Sequence, residues 1–187
     1  MDNLNTTKDK SSFFDFKKTL SFKLHTASRF EGWNGLVVIN LNISKGEILD
    51  DNYIKKNFSE IANKEKILVV TKGKLSVKYN KKNLALNSFD ALNFFSDQNK
   101  YEITCDEDST AFLISAKKLN VSNGDLKHFN FKNDIKPIDL WGGQCISRPY
   151  EGKDLNLVLF DLKSGFKFED KGHYNEQVTW LVNGEMN

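Results

Sequence analysis

Short runs of alternating apolar and polar residues recur between residues 36 and 162 of the chain. Successive side chains of an extended strand point to opposite faces, so this pattern is typical of half-buried β-strands. Many short strands separated by clusters of turn residues predict an all-β sandwich or jelly-roll barrel. The runs are LVVINLNI (36–43), KILVVTKG (66–73), KLSVKYN (74–80), YEITC (101–105), TAFLISA (110–116) and NLVLFDL (156–162).

Helical periodicity is weak throughout the chain. The best candidate is segment 52–65, in which Ile54, Phe58 and Ile61 are spaced by four and three residues. This spacing predicts one short helix or an irregular loop. The sequences TKGK (71–74) and NGE (183–185) are predicted to be hairpin turns rather than phosphate-binding loops, and CDEDS (105–109) is a predicted turn.

One strand unit occurs twice in the sequence. LVVINLNISKGEILDD has a glycine after its strand, Gly46, and LNLVLFDLKSGFKFED has the equivalent Gly165. A second glycine follows after 73 − 46 = 27 residues in the first copy (Gly73) and after 184 − 165 = 19 in the second (Gly184). The repeat predicts a duplicated β-barrel. Its expected parts are an N-terminal extension (1–29), a first barrel (30–118), a connector (119–140) and the start of a second barrel (141–187).

The amino-acid composition limits the kinds of molecule that the protein is expected to bind. Of 187 residues, 39% are hydrophobic and 28% charged, which allows a sizeable core, and the net charge is only +2. Without a basic stripe, nucleic acid is not an expected partner. Cys105 and Cys145 lack zinc or disulfide spacing and are expected to be buried thiols of a reducing compartment. No apolar run of signal-peptide or membrane-spanning length is found, so a cytoplasmic protein without a membrane partner is expected.

The second strand unit resembles the first motif of the cupin superfamily, G-x5-H-x-H-x3/4-E-x6-G. In the same register the chain has Gly165, Lys171, His173, Gln177 and Gly184, within the phrase HYNEQVTWLVNGEM. Segment 87–103 lies where the second cupin motif would fall, so the resemblance extends over most of the chain from about residue 30. It implies a two-domain cupin of jelly-roll barrels, one of which carries a metal site.

Four residues are candidates for the site that this resemblance implies. Lys171, His173 and Gln177 share one face of a regular strand, and Glu176 lies on the other unless a bulge intervenes. The resemblance makes His173 and Gln177 metal ligands, with Lys171 and Glu176 as catalytic groups. The alternatives are a packing or anion-binding histidine, a lysine that reaches the barrel mouth, and an outward-facing carboxylate.

The first barrel is expected to bind no metal. Counting back from Gly73 and on to the second motif, the ligand positions fall on Glu60, Ala62, Lys66 and Lys100. A lysine ammonium repels a divalent cation, and alanine offers no ligand atom. His25 and His128 are isolated in the sequence and are not expected to have a functional role.

Two functional hypotheses remain open from the sequence. The first is an enzyme that acts on a small polar metabolite, such as a sugar acid or keto acid, by isomerisation or a related proton shift. The second is a cupin that binds a small ligand or serves as a scaffold without catalysis. Ending at Asn187 suggests a fragment that is poorly stable alone, or strands that complete the sheet of a second copy in a homodimer.

The expected cofactor depends on the length of the chain. Two ligands beside the Lys171 ammonium are not expected to hold a metal tightly in these 187 residues. A longer form that supplies another histidine is expected to bind Zn, Mn, Fe or Ni weakly.

Overall fold

The computed structural model describes residues 18–21, 25–31, 36–62, 64–79, 81–94, 101–119, 126–167, 179 and 182–184. Nearly all regular structure in this part of the chain is extended. The strands are β1 (Lys18–Ser21), β2 (His25–Glu31), β3 (Val37–Ile43), β4 (Ile48–Asp50), β5 (Lys64–Tyr79), β6 (Lys82–Leu86), β7 (Asp90–Phe94), β8 (Tyr101–Leu119), β9 (Lys127–Asn130), β10 (Ile138–Leu140), β11 (Cys145–Glu151) and β12 (Asn156–Leu162).

The strands form two antiparallel sheets. The larger sheet has the order β1-β2-β3-β8-β5-β7-β9, with β4 paired to β8 and β6 paired to β5. The smaller sheet has the order β10-β11-β12. This architecture confirms the all-β prediction made from the alternating runs.

The one short helix predicted over 52–65 is present. Helix α1 (Asp51–Asn57) begins after Asp50, whose carboxylate accepts the backbone N–H of Tyr53 at 2.7 Å. A 3₁₀ turn (Ser59–Ile61) follows the helix directly. The apolar positions that predicted the helix are all buried, Ile54 and Phe58 on α1 and its end and Ile61 on the turn.

The predicted turns at 71–74 and 105–109 are wrong, because both segments lie inside long strands that bend together. β5 and β8 pair along their length, with register shifts between Val70 and Leu75. At the bend Gly73 has a φ of +86°, and a Cβ there would lie 2.3 Å from Ser109 Oγ. A glycine that sequence alone assigns to a hairpin therefore marks a β-bulge.

The bulge changes which residues of β5 face inward. Leu68 and Val70 precede Gly73 and have even numbers, whereas Leu75 and Val77 follow it and have odd numbers. All four lie in the same apolar core, because the extra residue at the bulge reverses the alternation. The bend thus keeps one long strand in contact with one core.

Two apolar clusters organise the molecule. The first fills the interior of the larger sheet, where each fully buried aliphatic side chain contributes about 1.5–3 kcal/mol. The second lies between the outer face of that sheet and the smaller sheet, so it joins the two parts of the chain. The first includes Ile39, Leu41, Leu68, Val70, Leu92 and Leu113. The second includes Val38, Ile67, Ala91, Ile114, Phe129 and Leu155, with Leu157 and Leu159 packed against it.

Candidate functional site

The four residues predicted from the cupin motif lie outside the described residues. They are Lys171, His173, Glu176 and Gln177. Their predicted catalytic and metal-binding roles therefore stay predictions. Lys100, the second-motif position of the first barrel, also lies outside the described part of the chain.

The glycine frame around these residues is described, and its backbone agrees with the repeat. All four repeat glycines have positive φ angles, 85° and 86° in the first copy and 76° and 102° in the second. This conformation is accessible to glycine at little cost, which explains the choice of residue. The four are Gly46, Gly73, Gly165 and Gly184.

The strands before the first glycine of each copy also correspond. β1, β2 and β3 have 4, 7 and 7 residues, and β10, β11 and β12 have 3, 7 and 7. Each trio pairs in consecutive order. Counting back equally from the two glycines, the core residues Ile39, Leu41 and Ile43 correspond to Val158, Phe160 and Leu162.

Those corresponding residues differ in burial. Ile39, Leu41 and Ile43 have at most 2% of their surface exposed, inside the larger sheet. Val158, Phe160 and Leu162 are 44%, 46% and 44% exposed on β12. Within the described part of the chain β12 pairs with β11 alone, whereas β3 has β2 on one side and β8 on the other. The smaller sheet thus presents an apolar face where the larger one has a filled core.

Lys66 lies at a position that the cupin resemblance assigns to a metal ligand. Its side chain points into the first core, on the same face of β5 as Leu68, and is 1% exposed. The ammonium donates to three backbone carbonyl oxygens, at 3.1 Å (Ile61), 2.8 Å (Ala62) and 2.9 Å (Lys64). It also lies 5.6 Å from the centre of the Phe94 ring. A positive charge therefore already occupies this position.

The other first-copy positions do not complete a metal site around Lys66. Glu60 lies on the 3₁₀ turn and Ala62 directly after it. Among the described residues there is no group of three or more His, Cys, Asp and Glu side chains that could hold a metal ion. A divalent cation does not fit beside the Lys66 ammonium, because like charges repel strongly in a site of low polarity.

Glu65 is a site residue that the sequence reasoning missed. It is 0% exposed and faces the opposite side of β5 from Lys66, toward the smaller sheet. Its carboxylate accepts the backbone N–H groups of Lys153 (3.0 Å) and Asp154 (2.5 Å) and the Asn93 amide (2.8 Å). A Cβ on Gly152 would lie 2.6 Å from Glu65 Oε1, so only glycine allows this close approach. The carboxylate joins the two parts of the chain.

Aromatic packing extends this junction. The Tyr150 ring stacks on Phe129 with centroids 3.9 Å apart, and its hydroxyl accepts a hydrogen bond from Asn93 at 2.9 Å. Burial raises the pKa of Tyr150, and the nearby Glu65 charge adds to the effect although the Asn93 hydrogen bond opposes it. In the sequence, Glu65 and Lys66 are visible as a charged pair at the start of an apolar strand. That pattern does not indicate which partners each side chain would contact.

A cleft opens at the far end of β5, beside α1 and the β5–β6 hairpin. It is lined by charged and aromatic side chains, among them Tyr79, Lys81 and Tyr101. The Lys55–Asp51 and Lys78–Glu102 ion pairs, at 2.7 Å and 3.0 Å, offset part of its charge. This cleft lies outside the positions that the cupin resemblance assigns to chemistry, and it is a weaker candidate.

Both cysteines are free and buried, which confirms the prediction of two unpaired thiols. Cys105 is 2% exposed and Cys145 1% exposed. Burial raises the pKa of each thiol above its usual value. Neutral, covered thiols are poor nucleophiles, so neither is a candidate catalytic residue.

Comparison with solved structures shows that the fold of this chain is similar to that of known proteins. The sequence matches no protein-family model, and no curated protein matches it significantly. A solved protein from Pseudomonas aeruginosa described as glyoxylate-induced has a TM-score of 0.57 at 14% identity, over 75% of this chain and 58% of that one. Protein Ylba from E. coli has a TM-score of 0.51 at 17% identity, over 71% of this chain and 52% of that one. These structures are cupin-type proteins.

The chain has a cupin-type fold. A further structure, AerE from Microcystis aeruginosa, has a TM-score of 0.56 at 10% identity, over 75% of this chain and 62% of that one. The chain spans 58% and 52% of the Pseudomonas and E. coli proteins. At these identities the likeness concerns the cupin fold and not the reaction. No described helix has the length and apolar character needed to cross a membrane.

Proposed function

We propose that the protein is a cupin-type enzyme that acts on a small polar metabolite, such as a sugar acid or keto acid, by a proton shift. The observation that carries the proposal is the contrast between the two strand units. The interior of the first unit is filled by apolar side chains and by the Lys66 ammonium. Chemistry is therefore assigned to the second unit, which includes Lys171, His173, Glu176 and Gln177.

The proposed roles follow from the charge of each group. The Lys171 ammonium holds the carboxylate of the substrate, because opposite charges attract most strongly in a partly desolvated site. The Glu176 carboxylate removes a proton from the hydroxyl-bearing carbon next to the substrate carbonyl and returns it to the former carbonyl carbon, while the hydroxyl proton passes to the former carbonyl oxygen. The product is an isomer, and the enzyme ends in the protonation state in which it began.

The metal part of the proposal is confined to the second unit. His173 and Gln177 would hold a divalent ion there in a longer form of the protein, and such an ion would supply polarisation of the substrate carbonyl. The first unit does not fit a metal, because Lys66 and Ala62 stand at two of its ligand positions. The proton shift as proposed uses only side chains of this chain.

The test is a panel of sugar acids and keto acids, measured by thermal shift and by NMR of the substrate protons in D₂O. We expect stabilisation by at least one member and exchange of its α-proton for deuterium. Lys171→Met should abolish binding, whereas Glu176→Gln should abolish exchange and retain binding. His128→Ala is a control that should leave both readouts unchanged, because His128 lies in the larger sheet, where its imidazole is 3.6 Å from Asp90. Binding that survives Lys171→Met would contradict the assignment.

A second candidate function is binding without catalysis, either of a small ligand or as a scaffold. The filled first unit favours this candidate, since apolar side chains occupy the described interior of one half of the repeat. Thermal stabilisation by a metabolite without any exchange of substrate protons would support it over the enzyme.

A further inference from the structure

The environment of Lys66 matches the chemistry of a primary ammonium ion. An ammonium has three N–H donors and no acceptor. Three carbonyl oxygens accept from it, from Ile61, Ala62 and Lys64, at 2.8–3.1 Å. Burial of a charged group without such partners would cost several kcal/mol. The polarity of these three acceptors therefore matches that of the ammonium donors.

The acceptors belong to one short stretch of backbone. They lie at the end of the 3₁₀ turn and at the start of β5, within four consecutive residues. Convergent carbonyl oxygens can replace the hydration shell of a monovalent cation. The Phe94 ring, 5.6 Å from the ammonium and 3% exposed, adds a cation–π contact.

We infer that the carbonyl oxygens of Ile61, Ala62 and Lys64 form a site for a primary ammonium ion, which the chain fills with its own Lys66. The site lies where the cupin resemblance places a metal ligand, so an internal cation stands in place of a metal. These three oxygens are neutral carbonyls, whereas protein sites for calcium and magnesium also use carboxylate ligands. The inference concerns the first unit and is independent of the reaction proposed for the second.

The test is chemical rescue of Lys66→Ala in the 187-residue chain. Alanine retains Cβ, so the missing atoms are three carbons and the ammonium nitrogen, which together are propylammonium. We expect propylammonium at ten times its Kd to raise the Tm of Lys66→Ala by about 3–6 °C. Methylammonium should give a smaller rise, while 1-propanol and tetramethylammonium, at matched ionic strength, should give none.

Leu68→Ala is the matched control. Leu68 lies two residues along the same face of β5 and is equally buried, at 1% exposure. Its removal leaves an apolar cavity without the three carbonyl acceptors. Propylammonium should therefore not stabilise Leu68→Ala. An equal rise of Tm in both variants would mean non-specific binding and would overturn the inference.

A second measurement covers the case in which Lys66→Ala does not fold. Lys66→Met retains most of the side-chain volume but leaves three carbonyl oxygens without a donor, and we expect its Tm to fall by about 5 °C or more. In the unmodified chain, the Lys66 ammonium protons should exchange slowly enough for ¹H–¹⁵N NMR, unlike those of Lys78, which is 67% exposed. An unchanged Tm in Lys66→Met, or equally fast exchange for both lysines, would refute the site.

Discussion

Glu65 and Asp154 are 89 positions apart, yet the buried Glu65 carboxylate accepts the backbone N–H of Asp154 at 2.5 Å. The same carboxylate accepts the N–H of Lys153, so one side chain holds two consecutive peptide groups of the β11–β12 turn. Hydrogen bonds to an ionised carboxylate are stronger than those between neutral groups. Glu65 therefore attaches the smaller sheet to the larger one.

Glu65→Gln is expected to weaken this attachment. The glutamine would lose the charge and present an NH₂ group to N–H donors, which leaves at least one of them unsatisfied. We expect a loss of about 1–3 kcal/mol in the free energy of unfolding, measured by urea denaturation, and faster hydrogen exchange in β11. Glu102→Gln is the control, because Glu102 forms a solvent-exposed pair with Lys78, and its effect should stay below about 1 kcal/mol. Equal effects of the two substitutions would contradict the proposed role.

A comparison of Gly73→Ala with Gly46→Ala separates the energetic cost of a positive φ from that of a steric clash. The two glycines have nearly the same φ, 86° and 85°. A Cβ at Gly46 has nothing within 4 Å, whereas one at Gly73 would lie 2.3 Å from Ser109 Oγ and 2.5 Å from the Asp108 carbonyl oxygen. Gly46→Ala should cost about 1–2 kcal/mol from its φ alone. Gly73→Ala should cost clearly more, in chemical denaturation of both variants side by side.

The exposed side chains of β12 are expected to bind apolar dyes and to promote self-association. Phe160 is 46% exposed beside Val158 and Leu162, and contiguous apolar surface of this kind is unusual. Phe160→Asn should lower the fluorescence of bound 8-anilinonaphthalene-1-sulfonate and reduce association in analytical ultracentrifugation, with little change in Tm. Leu159→Asn is the contrasting variant, because Leu159 packs against the junction between the sheets and its loss should lower Tm. Undiminished dye binding in Phe160→Asn would count against an open face.

Both thiols are expected to be protected at neutral pH. Burial raises the pKa of Cys105 and of Cys145, so the neutral form is favoured in the folded chain. This contribution to stability is complete below the thiol pKa of the unfolded chain and is lost as pH rises through the folded pKa. We expect slow modification by iodoacetamide in native buffer at pH 7, rapid modification in urea, and falling stability above about pH 9. Rapid native modification at pH 7 would show that the thiols are accessible.

The local sequence pattern was sufficient to predict the strands that bury one face. The alternation in 36–43 predicted β3, and its odd-numbered residues do fill the core, because a period of two is the geometry of an extended chain. The four repeat glycines were also visible in the sequence, and each has a positive φ. The spacing of Ile54, Phe58 and Ile61 predicted the short helix, because three and four residues correspond to about one helical turn.

The tertiary structure decided what no local pattern contains. Whether Gly73 turns the chain or bends a strand depends on β8, whose Ser109 lies against it. Lys66 and Glu65 are adjacent charged residues that look suited to solvent, yet one is buried against its own preceding turn and the other against a loop 88 positions away. A buried charge is stable only where several polar partners converge on it. For Glu65, those partners come from a distant part of the chain. The sequence therefore determined the strands, whereas the tertiary structure determined which partners each buried charge has.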